Sequence, residues 1–591
     1  MIQDNKRSNP FTVVSPEGMD AETADALFVE VFTDFPQIQN EGHAFIQGAR
    51  GCGKSMMFRA MMPDFLCKRH NCSISDIRYL AIHIPIKKTE LKLTEFERLK
   101  NSHADYALNE HLFCMTISTW LFDTLIKGDI KDTPANLKRT VAFANNTFIY
   151  LIREAGWHGK IDENALDTIA GCYKLLKQIS VEIYRYGLNY LRKLSFESAA
   201  IPYDGPLCGY LDFLLPLFQD LRMLPYLPQN AVYLLIDDAD NLNETQTIIL
   251  NTWIATRTSS DVSIKVSAQI KKYKCFWTSS GNSIDAMHDY HDINISDRYT
   301  TAKTAYAHRI KEIVQKRLSR VGINVNPEDF FPEYDKQEIE IQLIAQRIRS
   351  EWAEKGVGYR VSDDVTRYAR PEYITRLGGN KKARSTYSYA GFAQLVHLSS
   401  GSIRYFLEAA SVMFDEVNSN SKTNGIVSLI EPNIQDAVVR KQAEDFMFTQ
   451  FERLTDDSNC GPFSSNPINK LQNLVTAMGE TFHEILVSKR SERRIFSIAL
   501  SNLPDKEISE ILKIGVQQGY LHEATIGNKD GTGRTKLYIL NRRLAPQFTL
   551  DPTSFAGYLF VTNEALKAAM NSRKLFREFG EDDILQLSLF E

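Results

Sequence analysis

The chain has 591 residues, of which 43% are hydrophobic and 24% are charged, a composition typical of a folded protein with about three or four domains. Its formal net charge of −4 excludes a protein coated in positive charge, so any nucleic-acid surface must be a local patch. The first residues lack the apolar core of a secretory signal and no apolar run reaches the length of a membrane span, so we expect a cytoplasmic protein.

The first predicted elements are a short buried strand at residues 44–46 and a helical run at residues 56–62, joined by a glycine-rich loop. The loop has the phosphate-binding spacing Gly-x4-Gly-Lys-Ser, in which backbone N–H groups and the helix start surround a polyphosphate. The lysine of such a loop reaches the β- and γ-phosphates, and the serine hydroxyl ligates Mg²⁺. The predicted nucleotide-binding residues are Gly48, Ala49, Arg50, Gly51, Cys52, Gly53, Lys54 and Ser55.

Residues 79–85 read as a second strand, and residues from about 90 to 225 are mostly helical in pattern, which predicts a large insertion. A hydrophobic strand at residues 231–236 then delivers Asp237 and Asp238 at its carboxyl end, where open α/β sheets bind ligands. We expect Asp237 near the Mg²⁺ ion and Asp238 placed to orient or deprotonate the attacking water. Because aspartate is shorter than the glutamate usual at that place, we expect slow hydrolysis.

Further strands are predicted at residues 274–278 and 292–295, the first ending in the small polar residues Ser279 and Asn282. After about residue 300 the pattern is helical. A helix opening near Ser399 or Ser400 carries Arg404, which would point at the nucleotide from a helical lid.

In this order the motifs resemble those of AAA+ ATPases, most closely the origin-recognition clade of initiators and loaders. The resemblance implies ATP and Mg²⁺ as cofactors, Asp237 as the magnesium-linked Walker B residue and Asp238 as the catalytic acid. It also implies that Asn282 or Ser279 is sensor 1 and that Arg404 is sensor 2. The expected fold is an α/β P-loop core with a parallel sheet and a helical insertion, then an α-helical lid and a winged-helix domain.

Two departures from that family pattern matter. The helical insertion is larger than the fold needs, and no arginine stands between Asn282 and Ile295, where an intersubunit arginine finger is usual. Arg298 is a weak substitute. These departures favour a switch over a ring-type motor. The predicted boundaries are 1–300 for the core with its insertion, 301–425 for the lid, 426–550 for the winged-helix domain and 551–591 for a C-terminal tail.

Residues 504–519 predict a helix, and residues 520–526 and 535–540 predict two strands around a glycine-rich loop, which together indicate a winged helix. Double-stranded DNA is the expected partner, bound through phosphate contacts. Packing or protein contact is the alternative use of this module. The candidate DNA-binding residues are Lys506, Lys513, Gln517, Lys529, Arg534 and Lys536.

The last residues, Gln-Leu-Ser-Leu-Phe before Glu591, resemble the pentapeptide by which bacterial proteins dock on the replication sliding clamp. An extended peptide offers apolar side chains to a pocket while its glutamine supplies a polar anchor. The alternative is a helix end packed on the body. The candidate clamp-binding residues are Gln586, Leu587, Leu589 and Phe590.

The sequence therefore predicts an ATP-binding, slowly hydrolysing, DNA-associated switch recruited to the bacterial sliding clamp, acting in replication control, repair or antiviral defence. Self-association or a separate effector protein would complete its action, and no membrane is involved. The rival hypothesis is a signalling NTPase of the STAND type, in which nucleotide state controls oligomerisation without DNA. A scaffold with a degenerate ATPase is a third hypothesis.

Overall fold

The structure is a computed structural model. It describes the chain apart from residues 1–7, 31–34, 90, 92–95, 97–98, 100–101, 195, 197–200, 257–259, 296–302, 356–360, 379–385, 421–426, 461–464, 489–493, 528–532, 554–556, 577–585 and 588–591. Val14–Gly48 and Gly53–Ile295 form one compact unit, here the N-terminal unit, and the other described residues form the C-terminal unit. In the described part of the chain, no helix has both the length and the apolar character needed to cross a membrane.

The N-terminal unit contains a five-stranded parallel sheet with the strand order β2-β3-β4-β1-β5. Strands β2, β3 and β4 are buried along their whole length, as expected of a parallel sheet covered on both faces. In the register, Pro85 lies opposite Asp237, so the carboxyl ends of neighbouring strands meet at one edge. The strands are β1 (Ala44–Gln47), β2 (Ala81–Pro85), β3 (Val232–Asp237), β4 (Val262–Ala268) and β5 (His291–Asn294).

Ten α-helices accompany this sheet in the described part of the N-terminal unit: α1 (Ala21–Leu27), α2 (Phe35–Ile38), α3 (Lys54–Arg59), α4 (Pro63–His70), α5 (Ser102–Lys127), α6 (Pro134–Phe143), α7 (Tyr150–Glu154), α8 (Ile169–Lys193), α9 (Leu215–Arg222) and α10 (Glu244–Ala255). The long helices α5 and α8 pack antiparallel, with the Ser118 and Ser180 hydroxyls 2.9 Å apart in their buried seam. Helix α5 also packs against β2 and α10. The predicted helical insertion is therefore confirmed, and it packs on the sheet rather than forming a separate body.

One predicted strand is wrong. Residues 274–278 form no strand and contribute only an isolated bridge from Trp277 to Ser283, whereas β4 lies at Val262–Ala268 between β3 and β1. The apolar residues that suggested a strand are held by ring packing, because Phe276 contacts Phe45 at a centroid distance of 5.5 Å. The predicted strands at residues 44–46, 79–85, 231–236 and 292–295 are confirmed to within a few residues.

The C-terminal unit is mainly helical before its own sheet. Its helices are α11 (Lys303–Arg320), α12 (Pro327–Phe330), α13 (Asp335–Lys355), α14 (Val361–Gly378), α15 (Phe392–Leu398), α16 (Ile403–Asn420), α17 (Pro432–Met447), α18 (Thr449–Cys460), α19 (Ser465–Leu486), α20 (Lys506–Gln517), α21 (Ala545–Phe548) and α22 (Asn563–Ser572). Helix α11 confirms the helical pattern predicted after residue 300. Helices α13 and α14 form a hairpin around a small core that includes Ile344 and Ile348.

The second sheet has five strands in the order β10-β9-β6-β8-β7. They are β6 (Ser497–Leu500), β7 (Leu521–Gly527), β8 (Arg534–Leu540), β9 (Tyr558–Val561) and β10 (Gln586–Leu587). The predicted helix and hairpin are confirmed as α20, β7 and β8, and Gly519 ends the helix at a φ of +79°. Residues 557–576, predicted as part of a tail, instead contribute β9 and α22, because β9 pairs in parallel with β6.

Candidate functional site

The phosphate loop begins where β1 ends and closes where α3 begins. Gly53 precedes α3 with a φ of +109°, a conformation that L side chains rarely adopt, so glycine is needed at this turn. Lys54 is 7% exposed, and its ammonium donates a hydrogen bond of 2.8 Å to the Gly48 carbonyl oxygen. A buried ammonium beside a loop of backbone amides suits the terminal phosphates of a nucleotide.

Asp237 ends β3 and is fully buried. One carboxylate oxygen lies 3.2 Å from Nε2 of His83 on β2, and the other accepts hydrogen bonds from the Ser267 hydroxyl on β4 and from the Asp238 N–H. Burial raises the pKa of Asp237, but the hydrogen bonds from His83, Ser267 and Ser55 outweigh it and lower the pKa to about 2. Asp237 therefore stays a carboxylate, and its bond to Ser55 holds both predicted Mg²⁺ ligands side by side.

Asp238 follows in a left-handed conformation with a φ of +55°. Its carboxylate forms an ion pair of 2.7 Å with Lys87, which comes just after β2. Burial and the neighbouring charge of Asp237 raise the pKa of Asp238, and the Lys87 ion pair opposes that rise. Asp238 is therefore restrained by a salt bridge at the place where a base would act on water.

The loop residues Ala49–Cys52 belong to the C-terminal unit, where they contact the start of α16. The Arg404 backbone N–H donates to the Gly51 carbonyl at 3.1 Å, and the Ser402 hydroxyl donates to the Arg50 carbonyl at 3.1 Å. Arg404 therefore contacts the predicted phosphate loop through its own backbone N–H. The helix that carries Arg404 was expected to open near Ser399 or Ser400, but Ser399 ends α15 and α16 begins only at Ile403.

The sequence predicts that Ser279 and Asn282 lie at the end of a sheet strand, and this prediction is wrong. They lie on an exposed turn in which the Thr278 N–H donates to the Asn282 carbonyl, and the Ser279 N–H donates to Thr252 on α10. β4, and not residues 274–278, pairs with β3 on the side away from β2, and its Ser267 is the strand-end hydroxyl that touches Asp237. Arg298 lies outside the described residues.

Sequence reasoning missed His83, Lys87 and Ser267. Ser267 had a detectable signal, since polar and apolar residues alternate over residues 262–268 as in a strand. His83 and Lys87 had none, because their partners are about 150 positions away and only the register of β2 on β3 brings them together.

Four of the candidate DNA-binding residues occupy exposed positions. Lys506 and Lys513 are exposed one below the other on α20, and Arg534 and Lys536 are exposed on β8. Gln517 is half-buried at the end of α20. Lys536 pairs with Glu523 at 3.4 Å, so part of its charge is compensated. Lys529 lies outside the described residues.

Of the candidate clamp-binding residues, Gln586 and Leu587 form β10, which pairs antiparallel with β9 opposite Leu559 and Tyr558. Leu589 and Phe590 lie outside the described residues. The assignment of this peptide to a sliding clamp stays a prediction.

Known proteins give one match. The ORC-CDC6-like family model matches residues 9–560, which is nearly the whole chain. No curated protein and no solved structure matches the chain.

Proposed function

The chain belongs to the ORC-CDC6-like family, a group of AAA+ ATPases of the initiator and loader kind, and we propose that it is an ATP-dependent switch that holds duplex DNA. The observation that carries this proposal is the pairing of Ser55 with the buried, ionised Asp237 at the carboxyl edge of the sheet. Lys54 and the loop amides would hold the phosphates of ATP, and Ser55 and Asp237 would hold Mg²⁺. A bound Mg²⁺ ion supplies neutralisation of the phosphate charge.

We further propose that hydrolysis is slow. Asp238 would act on the attacking water, but the ion pair that Lys87 makes with one of its carboxylate oxygens stabilises the ionised form and opposes proton transfer to it. The absence of sequence signals for an arginine finger between Asn282 and Ile295 agrees with this. The nucleotide state would therefore persist long enough to be read by the rest of the chain.

Duplex DNA is the proposed partner of α20 and the β7–β8 hairpin. The helix has an apolar face, with Ile508, Ile511 and Leu512 buried, so its opposite face is free to meet a ligand. That face carries Lys506 and Lys513, and the acidic Glu507 on the same helix is compensated by an ion pair with Lys470. These charges support phosphate contacts without base readout.

Recruitment to the sliding clamp is proposed for Gln586, Leu587, Leu589 and Phe590. The support is the sequence pattern at the end of the chain. A short extended peptide of this kind suits micromolar affinity, about −8 kcal/mol.

The test of the switch is DNA retention measured with ATP, ADP and no nucleotide. Lys54→Ala should abolish ATP-dependent retention, because the phosphates lose their buried cation. Lys68→Ala, an exposed lysine on α4, is the matched control and should retain it. Equal retention by Lys54→Ala and the intact chain would contradict the proposal.

The clamp proposal is tested by a pull-down with purified clamp. Deletion of residues 586–591 should abolish capture, and capture that survives the deletion would overturn the assignment. The STAND-type hypothesis makes the opposite forecast for DNA. It expects tightly co-purified ADP, nucleotide-dependent oligomers and no duplex affinity at moderate salt.

A further inference from the structure

A long groove follows the seam between α5 and α8 in the N-terminal unit. Two adjoining cavities of about 380 and 830 Å³ form it, and they share Val181, Arg185 and Asn189 as lining residues. On α8 the lining runs from Lys174 to Arg192. Val181, Arg185 and Arg192 recur at helical spacing along its centre, with Tyr184 and Tyr186 on its two flanks, so α8 forms one wall. Since an α-helix rises about 1.5 Å per residue, this wall is about 27 Å long.

The groove carries an excess of positive charge. Lys177 is compensated by Asp123 at 2.6 Å. Glu182 also lines the groove and keeps its negative charge, because its hydrogen bond comes from the neutral indole of Trp157. The remaining cations of the groove are exposed, and none of them makes an ion pair with a described residue. These cations are Lys174, Arg185 and Arg192.

Aromatic side chains lie among these cations. Trp120 on α5 is half-buried, and Tyr184 and Tyr186 on α8 line the two cavities, Tyr186 being 44% exposed. Cations that track a backbone, interleaved with flat rings, are the features by which proteins hold single-stranded nucleic acid. An acidic peptide would use the cations but not the rings.

The size of the groove suits a single strand. Cavities of about 380 and 830 Å³ can hold a few bases, whereas a double helix could only lie across their openings. A single strand has unpaired bases that can turn into the groove and stack, while its phosphates meet the cations at the rim.

We propose that the α5–α8 groove is a binding site for single-stranded nucleic acid, separate from the duplex contact proposed for α20 and the β7–β8 hairpin. The strand stacks bases on Trp120 and Tyr186 and sets its phosphates against Arg185 and Arg192. This site lies wholly within the N-terminal unit.

The experiment measures binding of a fluorescently labelled oligothymidylate of twelve nucleotides to the full chain. Binding is followed by fluorescence anisotropy at several salt concentrations. Arg185→Glu combined with Arg192→Glu should weaken binding at least tenfold. It should also reduce the salt slope by about 1.4, since each lost phosphate contact on a single strand is worth about 0.7. Arg185→Gln combined with Arg192→Gln should also weaken binding of the oligonucleotide, but by a smaller factor.

Lys138→Glu combined with Arg139→Glu on α6 is the matched control, because it changes the net charge equally at exposed positions outside the groove. It should bind as the intact chain does. Loss of binding in this control, or full binding by the Arg185 and Arg192 variants, would overturn the proposal. So would equal competition by poly-glutamate of the same charge, or tighter groove-dependent binding of a duplex.

Discussion

At the scale of single residues, the buried imidazole of His83 explains how Asp237 can be both fully buried and ionised. The ring lies 3.2 Å from the carboxylate and opposes the burial that would raise its pKa. His83 is therefore a positioning residue for the proposed Mg²⁺ site. Partners of this kind typically change metal affinity by about 10–100-fold when they are removed.

We predict that His83→Leu raises the Mg²⁺ concentration needed for half-maximal ATP binding by about tenfold or more. The side chain of His83→Gln keeps a donor and should recover most of the loss. A titration of Mg²⁺ against a fluorescent ATP analogue measures both variants. If the leucine variant required no more Mg²⁺ than the intact chain, the positioning role would be wrong.

A second residue-scale prediction concerns Lys265, which lies inside the sheet on β4 and is 1% exposed. Its ammonium donates to the Asn40 and Gly42 carbonyls at 2.6 Å each. Burial, followed by the nearby charge of Arg78, lowers the pKa of Lys265 from 10.5 to about 7. Between those two values the unfolded chain binds the extra proton, so the folded state gains stability as the pH rises.

The contribution of Lys265 to the free energy of unfolding should therefore rise between pH 6 and pH 8 by about 1.4 kcal/mol, and the melting temperature should rise with it. Lys265→Met should flatten that rise, whereas Lys127→Met, at an exposed site on α5, should leave it unchanged. Thermal unfolding across the pH series checks this. A melting temperature that falls over the same range in the intact chain but not in Lys265→Met would contradict the assigned direction.

At the scale of elements, the contact between the phosphate loop and α16 depends on Gly51. This glycine has a φ of +81°, and a Cβ atom there would lie 2.4 Å from Cβ of Arg404 and 2.9 Å from the Ser402 hydroxyl. The Arg404 Cβ is fixed to the helix backbone and cannot swing aside. Any side chain at position 51 must therefore displace either the loop or the first turn of α16.

We predict that Gly51→Ala lowers ATP affinity at least tenfold and destabilises the chain by about 1–3 kcal/mol, the usual range for a forced backbone conformation. Gly18→Ala is the matched control, because a Cβ atom there meets nothing within 4 Å. Nucleotide titration and thermal unfolding of both variants measure the effects. Wild-type affinity in Gly51→Ala would show that the loop does not depend on this close approach.

The strand β4 shows where sequence reasoning was insufficient for an element. Its residues alternate Val262, Ser263, Ile264, Lys265 and Val266, a pattern that suggests a half-exposed strand, yet every position is buried. The polar side chains are satisfied by carbonyl oxygens and by Asp237, contacts that form only after folding. The aromatic run at residues 274–278 gave a stronger local signal, but its rings pack against β1 without joining the sheet.

At the scale of the whole molecule, the order of the motifs was the most useful signal. The phosphate loop and Asp237 could be predicted because each combines a buried strand with a fixed local spacing, and both lie where parallel strands end. The second sheet was predicted only in part. Its hairpin could be predicted from a glycine-rich turn in the sequence. The pairing of β9 with β6 could not, because the two strands are about 60 residues apart and no local pattern indicates that they pair.

The chain has a net charge of −4. Because acidic residues outnumber basic ones, it can bind duplex DNA only through a local cluster of cations. Lys506→Ala, Lys513→Ala and Lys536→Ala combined should reduce the salt slope of duplex binding by about 2–3, because each phosphate contact on a duplex is worth about 0.9. The Glu523 ion pair makes Lys536 the weakest of the three contributors. Lys441→Ala, an exposed lysine on α17, should leave the slope unchanged. Duplex affinity measured at four or more salt concentrations tests this. An unchanged slope in the triple variant would show that α20 and the β7–β8 hairpin do not contact the duplex.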